Sequence, residues 1–303
     1  MLGVLANQSG SNGAAGHVIL RDGTPMAYSE SGTGPVTIVL VHGWAASGAF
    51  FNALREALSH DFRVIAPDLR AHGVTPAGSE PLTLPTLADD LHELLVALDL
   101  RTVILLGWSM GAMTVWSMLE RHGNDRVAGM IVEDMSPRIL NGDGWTLGMS
   151  NGMNAASSDR AMAAMRAGWP AYAAAFAPQM FARDRARNEP ELVETALEQF
   201  GLREADAMAD LWESMAQQDL RPALPAMHLP ALVTYGEKSE AYGPETSRYL
   251  VEALPQAERK GFARSGHAPH LEQPQEFAQT VIDFAQRVQG AADSSQSSEG
   301  SIS

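Results

Sequence analysis

Five stretches of the chain are continuously apolar instead of alternating between apolar and polar residues. They are rich in Val, Ile and Leu, which is typical of parallel strands covered by helices on both faces. Two shorter stretches, 17–23 and 25–32, predict a pair of strands around a turn before them. The five apolar runs are VTIVLVHG (36–43), FRVIAPD (62–68), RTVILLGW (101–108), RVAGMIVED (126–134) and PALVTYG (230–236).

Segments with apolar residues three and four positions apart separate these predicted strands. That spacing places the apolar side chains on one face of a helix. Because strands and helices alternate, the sequence predicts an α/β fold with a doubly wound, mostly parallel sheet. The predicted helices span 48–59, 86–98, 110–122, 243–254 and 275–288.

One interval, 137–225, interrupts this alternation. It has no strand-like run, and its helical pieces, such as 161–181 and 194–215, are rich in Met, Ala and aromatic residues. We interpret it as a helical cap inserted into a core formed by 17–136 and 226–289. Most of its large apolar residues are expected to form the core of the cap. Candidates for an apolar substrate pocket are Met162, Trp169, Phe176 and Met180 first, and then Met165, Tyr172 and Phe181.

Both ends of the chain lack periodicity and consist of small polar residues. We predict disordered tails at 1–16 and 290–303. The N-terminus also lacks the pattern of a secretory signal, so we expect a cytoplasmic protein.

Composition excludes several classes of partner. With a net charge of −15 and a pI near 4.9, the surface is expected to repel nucleic acid and anionic lipid. No apolar run approaches the roughly 20 residues that span a bilayer, so no membrane association is expected. The chain has no cysteine, which excludes disulfides, thiolate metal sites and thiol nucleophiles. The expected partner is therefore a small molecule.

The segment G-W-S-M-G (107–111) matches the G-x-S-x-G pattern between a predicted strand and a predicted helix. A strand that turns sharply into a helix exposes the serine, and the flanking glycines permit the close approach of neighbouring backbone. Ser109 is therefore the candidate nucleophile. The backbone N–H of Met110 follows it at a helix N-terminus, where negative charge is stabilised.

An earlier strand ends in His42-Gly43-Trp44. A loop at that place can offer the backbone N–H of Trp44 as a second donor to a developing oxyanion. We favour a bracing role over a catalytic one for His42.

The candidate base is one of nine histidines. His267 and His270 occur in SGHAPHLEQP (265–274), a loop between a late strand and the last helix, where catalytic side chains converge in open α/β sheets. His267 follows a glycine and is our choice. No carboxylate–histidine motif accompanies the pair, and no glycine-rich phosphate loop is present, so we predict neither a metal site nor a cofactor.

Together these motifs resemble the α/β-hydrolase superfamily over residues 17–288. The matching segments are H-G-W (42–44), D-L-R-A-H-G (68–73), G-W-S-M-G (107–111), G-E-K-S (236–239) and G-H-A-P-H-L-E-Q-P (266–274). The resemblance implies a triad in the chain order serine, acid, histidine. It also exposes a departure, since most members carry the acid where this chain has Ser239.

Three carboxylates are alternatives for the acid: Glu237 and Glu240 in the same loop, and Asp134 at the end of GMIVEDMSP. We favour Asp134 because a subset of the superfamily, including small bacterial esterases and haloalkane dehalogenases, is similar in placing its acid there. Successive strand residues point to opposite faces, so the neighbouring Glu133 is expected to be a structural ion-pair partner. Glu272 is interpreted as a charge at a helix terminus.

The leading functional hypothesis is a serine hydrolase that cleaves carboxylic esters with a hydrophobic group through an acyl-enzyme on Ser109. The resemblance leaves alternatives open. A cofactor-independent dioxygenase of N-heterocycles similarly pairs the late histidine with an acid after the same strand. C–C bond hydrolysis, perhydrolysis and a catalytically silent receptor are further alternatives.

Overall fold

A single mixed sheet organises the protein. The structure, a computed structural model, describes residues 4–7 and 14–299. Within these residues nine strands lie in the order β1-β2-β3-β5-β4-β6-β7-β8-β9. Their bounds are β1 Val4–Asn7, β2 Ala14–Ile19, β3 Pro25–Ser31, β4 Thr37–Val41, β5 Arg63–Pro67, β6 Val103–Trp108, β7 Val127–Glu133, β8 Ala231–Gly236 and β9 Ala257–Phe262.

The strand pairs β1–β2, β2–β3 and β3–β5 are antiparallel. The remaining pairs, β5–β4, β4–β6, β6–β7, β7–β8 and β8–β9, are parallel. Every residue of β4 and β6 is buried, as expected of strands covered on both faces. The predicted α/β fold with a mostly parallel sheet is therefore confirmed. Because the central strands are parallel, their carboxyl ends share one edge, where ligand sites of open α/β sheets form.

Helices connect the parallel strands and cover the sheet. Local sequence sets several of their ends: Thr83 caps α2 by accepting a hydrogen bond from the N–H of Thr86, and Gly123, at a φ of 73°, ends α3. These helices are α1 Asn52–Leu58, α2 Leu84–Ala97, α3 Met110–His122, α9 Pro244–Ala253, α10 Pro269–Glu272 and α11 Pro274–Glu299. In the part of the chain that the structure covers, no helix is both long and apolar enough to cross a bilayer.

Five further α-helices within the described residues lie between β7 and β8, where the sequence predicts a cap. The predicted helical pieces 161–181 and 194–215 are each broken, the first at Gly168 and the second between Phe200 and Ala205. We call α4–α8 the helical insertion. Its helices are α4 Ala155–Ala167, α5 Trp169–Phe176, α6 Arg183–Asn188, α7 Pro190–Phe200 and α8 Ala205–Gln217.

The structure differs from the sequence prediction at both ends and at one sheet edge. The predicted tail 1–16 contains β1 and the start of β2, which pair through backbone groups and so need no apolar pattern. The predicted tail 290–303 begins inside α11, which continues to Glu299. The predicted tail positions 1–3, 8–13 and 300–303 lie outside the described residues. Strand β9, AERKGF, lacks an apolar run because it is a partly exposed edge strand.

Candidate active site

Ser109 lies in the turn from β6 into α3, in a strained backbone conformation with φ 54° and ψ −121°. The flanking glycines make this turn possible. A Cβ on Gly107 would come within 2.5 Å of the backbone nitrogen of Ala112, and one on Gly111 within 2.0 Å of the carbonyl oxygen of Val41. A non-glycine residue with this positive φ is uncommon, and such strain is frequent at functional sites. The local sequence thus presents the Ser109 hydroxyl at the carboxyl edge of the sheet.

His267 and Asp134 form a buried pair beside it. Nδ1 of His267 lies 2.6 Å from Oδ2 of Asp134, and the two side chains are 8% and 1% exposed. Asp134 follows β7 directly and has a φ of 46°. An ionised carboxylate only accepts hydrogen bonds, so Nδ1 of His267 carries the proton and Nε2 is left as the basic nitrogen.

Ser239, at the position where the resemblance leads one to expect an acid, contacts the same carboxylate. Its hydroxyl donates to Oδ2 of Asp134 at 2.6 Å. The backbone N–H groups of Ala241 and Tyr242 point toward Ser239 Oγ, at 3.2 and 3.4 Å. Since these donors occupy the lone pairs of the hydroxyl, its proton is directed to Asp134.

The loop after β4 approaches Ser109 from the other side. A Cβ on Gly43 would lie 3.2 Å from Cβ of Ser109, which places the next residue, Trp44, beside the nucleophile. Met110 begins α3, so its N–H is among those that no helical carbonyl accepts. The backbone N–H groups of Trp44 and Met110 therefore stay the two candidate donors to an oxyanion.

Two neutral histidines brace this loop. His42 accepts a hydrogen bond at Nε2 from the N–H of Leu69, and His72 accepts one from Ala45. Burial lowers the pKa of His42 to about 4 and that of His72 well below its usual value. His42 thus has the bracing contacts that we favoured, and it is not among the residues that line the cavity described next.

A cavity of about 650 Å³ opens in front of Ser109. It is lined by side chains from the helical insertion and by residues of the core, which include Trp44, Trp108, Ser109, Tyr242 and His267. Its apolar walls include Met135, Ile139, Met149, Phe176, Met180 and Met215. Exposed polar residues at its opening include Ser150, Asn151, Gln179 and Arg183, and Arg183 forms an ion pair with Glu240.

Two of the four foremost pocket candidates, Phe176 and Met180, line this cavity, whereas Met162 and Trp169 do not. The ring of Trp169 packs edge-on against Trp44 and donates through Nε1 to the carbonyl oxygen of Phe200. Met162 packs partly buried in the helical insertion. The remaining candidates, Met165, Tyr172 and Phe181, also lie outside the cavity lining.

Glu133 and His270 form a second buried pair next to the first. Oε1 of Glu133 accepts hydrogen bonds from the backbone N–H of His270 at 3.0 Å and from its Nδ1 at 2.8 Å. Both side chains are fully buried. Glu133 and Asp134 thus point to different histidines, and the pair with Glu133 anchors the loop that carries His267. Among the described residues, no cluster of three His or carboxylate side chains is arranged to hold a metal ion.

The sequence does not indicate the contacts of two residues near His267. Tyr242 is buried in the cavity wall, and burial together with the negative charge of Asp134 raises its pKa. Glu272 is the last residue of α10, a helix terminus as predicted, but it is buried and accepts hydrogen bonds from Ala182 and Gly266. No local signal identifies either role, because Asp134 is distant in sequence from Tyr242, and Ala182 is distant from Glu272. Glu272 has a proline two residues later, which suggested only a helix start.

A curated relative supports the type of chemistry. The pimeloyl-[acyl-carrier protein] methyl ester esterase of Vibrio cholerae is 28% identical over 260 residues, which cover 86% of this chain and 98% of that protein.

Solved structures of two further enzymes are similar over most of their length. A thermophilic esterase from Thermogutta terrifontis is 27% identical with a TM-score of 0.79, covering 92% of this chain and 99% of that one. The enol-lactonase from Burkholderia xenovorans is 28% identical with a TM-score of 0.76, covering 87% and 97%. These relatives support the prediction of an enzyme that hydrolyses ester bonds. The family described as alpha/beta hydrolase fold matches residues 36–274, more than half of the chain, and this protein belongs to that family.

Proposed function

We propose that the protein is a serine esterase that acts through an acyl-enzyme on Ser109. His267 takes the proton of the Ser109 hydroxyl as Oγ attacks the acyl carbon, and then gives that proton to the departing alcohol. A water molecule, deprotonated by the same histidine, hydrolyses the acyl-enzyme and releases the carboxylic acid. The backbone N–H groups of Trp44 and Met110 stabilise the oxyanion of each tetrahedral intermediate.

Asp134 is the acid of this proposal. The observation that carries the assignment is the 2.6 Å contact between its Oδ2 and Nδ1 of His267. Both groups are almost fully buried, so the imidazolium that forms during the reaction is poorly stabilised by solvent and depends on this carboxylate. Glu240 instead pairs with Arg183 at the opening of the cavity.

The cavity walls favour an ester with a hydrophobic group. Methionines supply four of the walls' apolar side chains, Met135, Met149, Met180 and Met215. Their unbranched, polarisable side chains adapt to ligands of different shape. The helical insertion acts as a cap in this proposal, because it supplies the wall opposite Ser109. Relatives named for a methyl ester and for an enol-lactone agree with ester substrates that differ in the leaving group.

Substitution of the nucleophile and the base tests the proposal. We expect Ser109→Ala and His267→Ala each to abolish the release of nitrophenol from nitrophenyl esters, because the triad acts as one unit. Each variant should keep the far-UV circular dichroism spectrum and melting temperature of the wild type. A small nitrophenyl phosphonate should form a bond between its phosphorus and Ser109 Oγ in the wild type, with loss of nitrophenolate, and should not modify Ser109→Ala, as judged by intact mass.

Substantial ester turnover by either variant would refute these roles. Oxygen uptake with a hydroxyquinolone in place of nitrophenol release would instead support the dioxygenase alternative.

A further inference from the structure

Glu272 is a buried carboxylate that the proposed reaction does not use. It ends the short helix α10, five residues after His267, and is 2% exposed. Each of its oxygens accepts one backbone hydrogen bond. Oε1 accepts from the N–H of Ala182 at 2.8 Å, and Oε2 accepts from the N–H of Gly266 at 2.6 Å.

The two donors belong to different parts of the molecule. Ala182 lies in the helical insertion just before α6, whereas Gly266 immediately precedes His267 in the core. The backbone N–H of His267 also donates to the carbonyl oxygen of Met180 at 2.8 Å. A Cβ on Gly266 would lie 2.4 Å from the nitrogen of Ala182, so the two backbones are in close contact.

One wall of the cavity begins at this joint. Met180 and Arg183, on either side of the joint, both line the cavity in front of Ser109. The position of the insertion segment 180–182 therefore fixes the distance between that wall and the imidazole of His267. Through its two hydrogen bonds, Glu272 links this wall directly to the loop.

We propose that Glu272 is a positioning residue, which holds segment 180–182 of the helical insertion against the loop that carries His267. The role rests on the proposed function of His267 as the base. Glu272 itself touches no reacting atom. It acts through the geometry of Gly266 and Ala182.

Only the ionised form of Glu272 serves both donors well. A protonated carboxyl group carries a hydrogen on one oxygen, and this hydrogen would oppose one of the two N–H groups. Burial raises the pKa of Glu272 to about 7. Arg185 in α6 acts to lower this pKa. The nearby histidines have other carboxylate partners, since His267 is hydrogen-bonded to Asp134 and His270 to Glu133. The hydrogen bonds from Ala182 and Gly266 act to lower this pKa against burial, so protonation weakens them while the side chain stays buried, and the joint should loosen on mild acidification.

Glu272→Gln tests the proposal most specifically. The amide keeps the size of the side chain, but its NH₂ group faces one of the two backbone N–H donors and cannot accept a hydrogen bond from it. A matched control is Glu258→Gln, which removes an exposed carboxylate in β9 that pairs with Arg287. We expect Glu272→Gln to lower kcat/KM for a nitrophenyl ester about 10-fold near pH 8, with no change in the control.

The pH profile separates positioning from mere stability. In the wild type, protonation of Glu272 should lower kcat/KM by about 10-fold around pH 7, in addition to the fall with a slope of about 1 that protonation of His267 causes, so log kcat/KM should fall more steeply than a slope of 1 in that range. In Glu272→Gln this additional 10-fold step should be absent, whereas Glu258→Gln should keep the wild-type profile. An unchanged pH profile in Glu272→Gln would overturn the proposal, even if the variant is less stable.

Hydrogen–deuterium exchange tests the joint without ester turnover. Peptides that cover 180–182 and 264–267 should exchange faster in Glu272→Gln than in the wild type and the control. If that variant does not fold, the wild type is compared at about pH 6 and about pH 8 after correction for intrinsic rates, and protection at 180–182 should rise with pH. Unchanged hydrogen–deuterium exchange would refute the proposed role of Glu272. Ester turnover by Ser109→Ala would refute the proposed function instead, and the exchange measurement would still test the contact between segment 180–182 and the His267 loop.

Discussion

The choice of Asp134 as the catalytic acid makes the strongest prediction about a single residue. Asp134→Asn preserves the size of the side chain and removes its charge. Oδ2 of Asp134 accepts hydrogen bonds from both His267 and Ser239 at 2.6 Å. If the amide nitrogen takes that place, it opposes both donors, and the imidazole is driven to the wrong tautomer. If the amide oxygen takes it, the tautomer is kept but the imidazolium lacks a counter-charge.

The expected loss follows from the burial of the pair. Two unit charges about 4 Å apart interact by about 4 kcal/mol at an effective dielectric constant of about 20. The misdirected hydrogen bond adds about 1 to 2 kcal/mol. Since each 1.36 kcal/mol corresponds to a tenfold change in rate, roughly 5 to 6 kcal/mol predicts a fall in kcat of about 10⁴. This is the order of loss that the same substitution causes in serine proteases.

The assay compares kcat at saturating nitrophenyl ester for Asp134→Asn and for Glu240→Gln, the matched control. Glu240 pairs with Arg183 at the opening of the cavity, so its substitution should change kcat less than about threefold. Nearly full activity in Asp134→Asn together with an inactive Glu240→Gln would move the acid to the loop after β8. Activity in both variants would mean that His267 acts without a carboxylate or that another histidine is the base.

Two further predictions use neighbours of His267. Ser239→Asp should restore part of the activity of Asp134→Asn, because Ser239 Oγ already lies 2.6 Å from the carboxylate, and a double variant as inactive as the single one would contradict this. The second prediction concerns the free energy of unfolding of the wild type, compared with that of Glu272→Gln at each pH. This difference should fall as the pH rises from about 4.5 to about 7. Burial raises the pKa of Glu272 to about 7, so the folded state keeps a proton over that window that the unfolded state has lost. The fall should be at most about 3 kcal/mol in urea titrations, and a pH-independent difference would refute it.

Local sequence was sufficient for the parts of the site that depend on local backbone. The turn at Ser109 follows from the glycines at 107 and 111 and from the apolar strand before them, since a Cβ at either glycine would come within 2.5 Å of neighbouring backbone. The parallel strands were predictable for the same reason, since a strand buried on both faces is continuously apolar.

Contacts between distant segments could not be predicted in this way. Trp169 and Phe176 both lie in α5 and both pack edge-on against Trp44, but only Phe176 lines the cavity. Their roles depend on how the helical insertion sits on the core, which hydrophobic spacing does not encode. Glu272 is similar, because its partner Ala182 is 90 residues earlier in the chain. Strand β1 depends on backbone pairing with β2, to which an apolar pattern contributes little.

Geometry explains how the acid can stand at position 134 when the position that carries it in most of the superfamily is Ser239. Asp134 follows β7 and Ser239 lies beyond β8, and these strands are parallel neighbours in which Glu133 pairs with Thr234. Side chains after either strand therefore reach the same imidazole, so the acid can stand at either place without any change at Ser109 or His267. Two carboxylates there would repel each other, and one would be driven to its neutral form. A hydroxyl at 239 avoids this repulsion and, because the backbone N–H groups of the following residues occupy its lone pairs, donates its proton to Asp134.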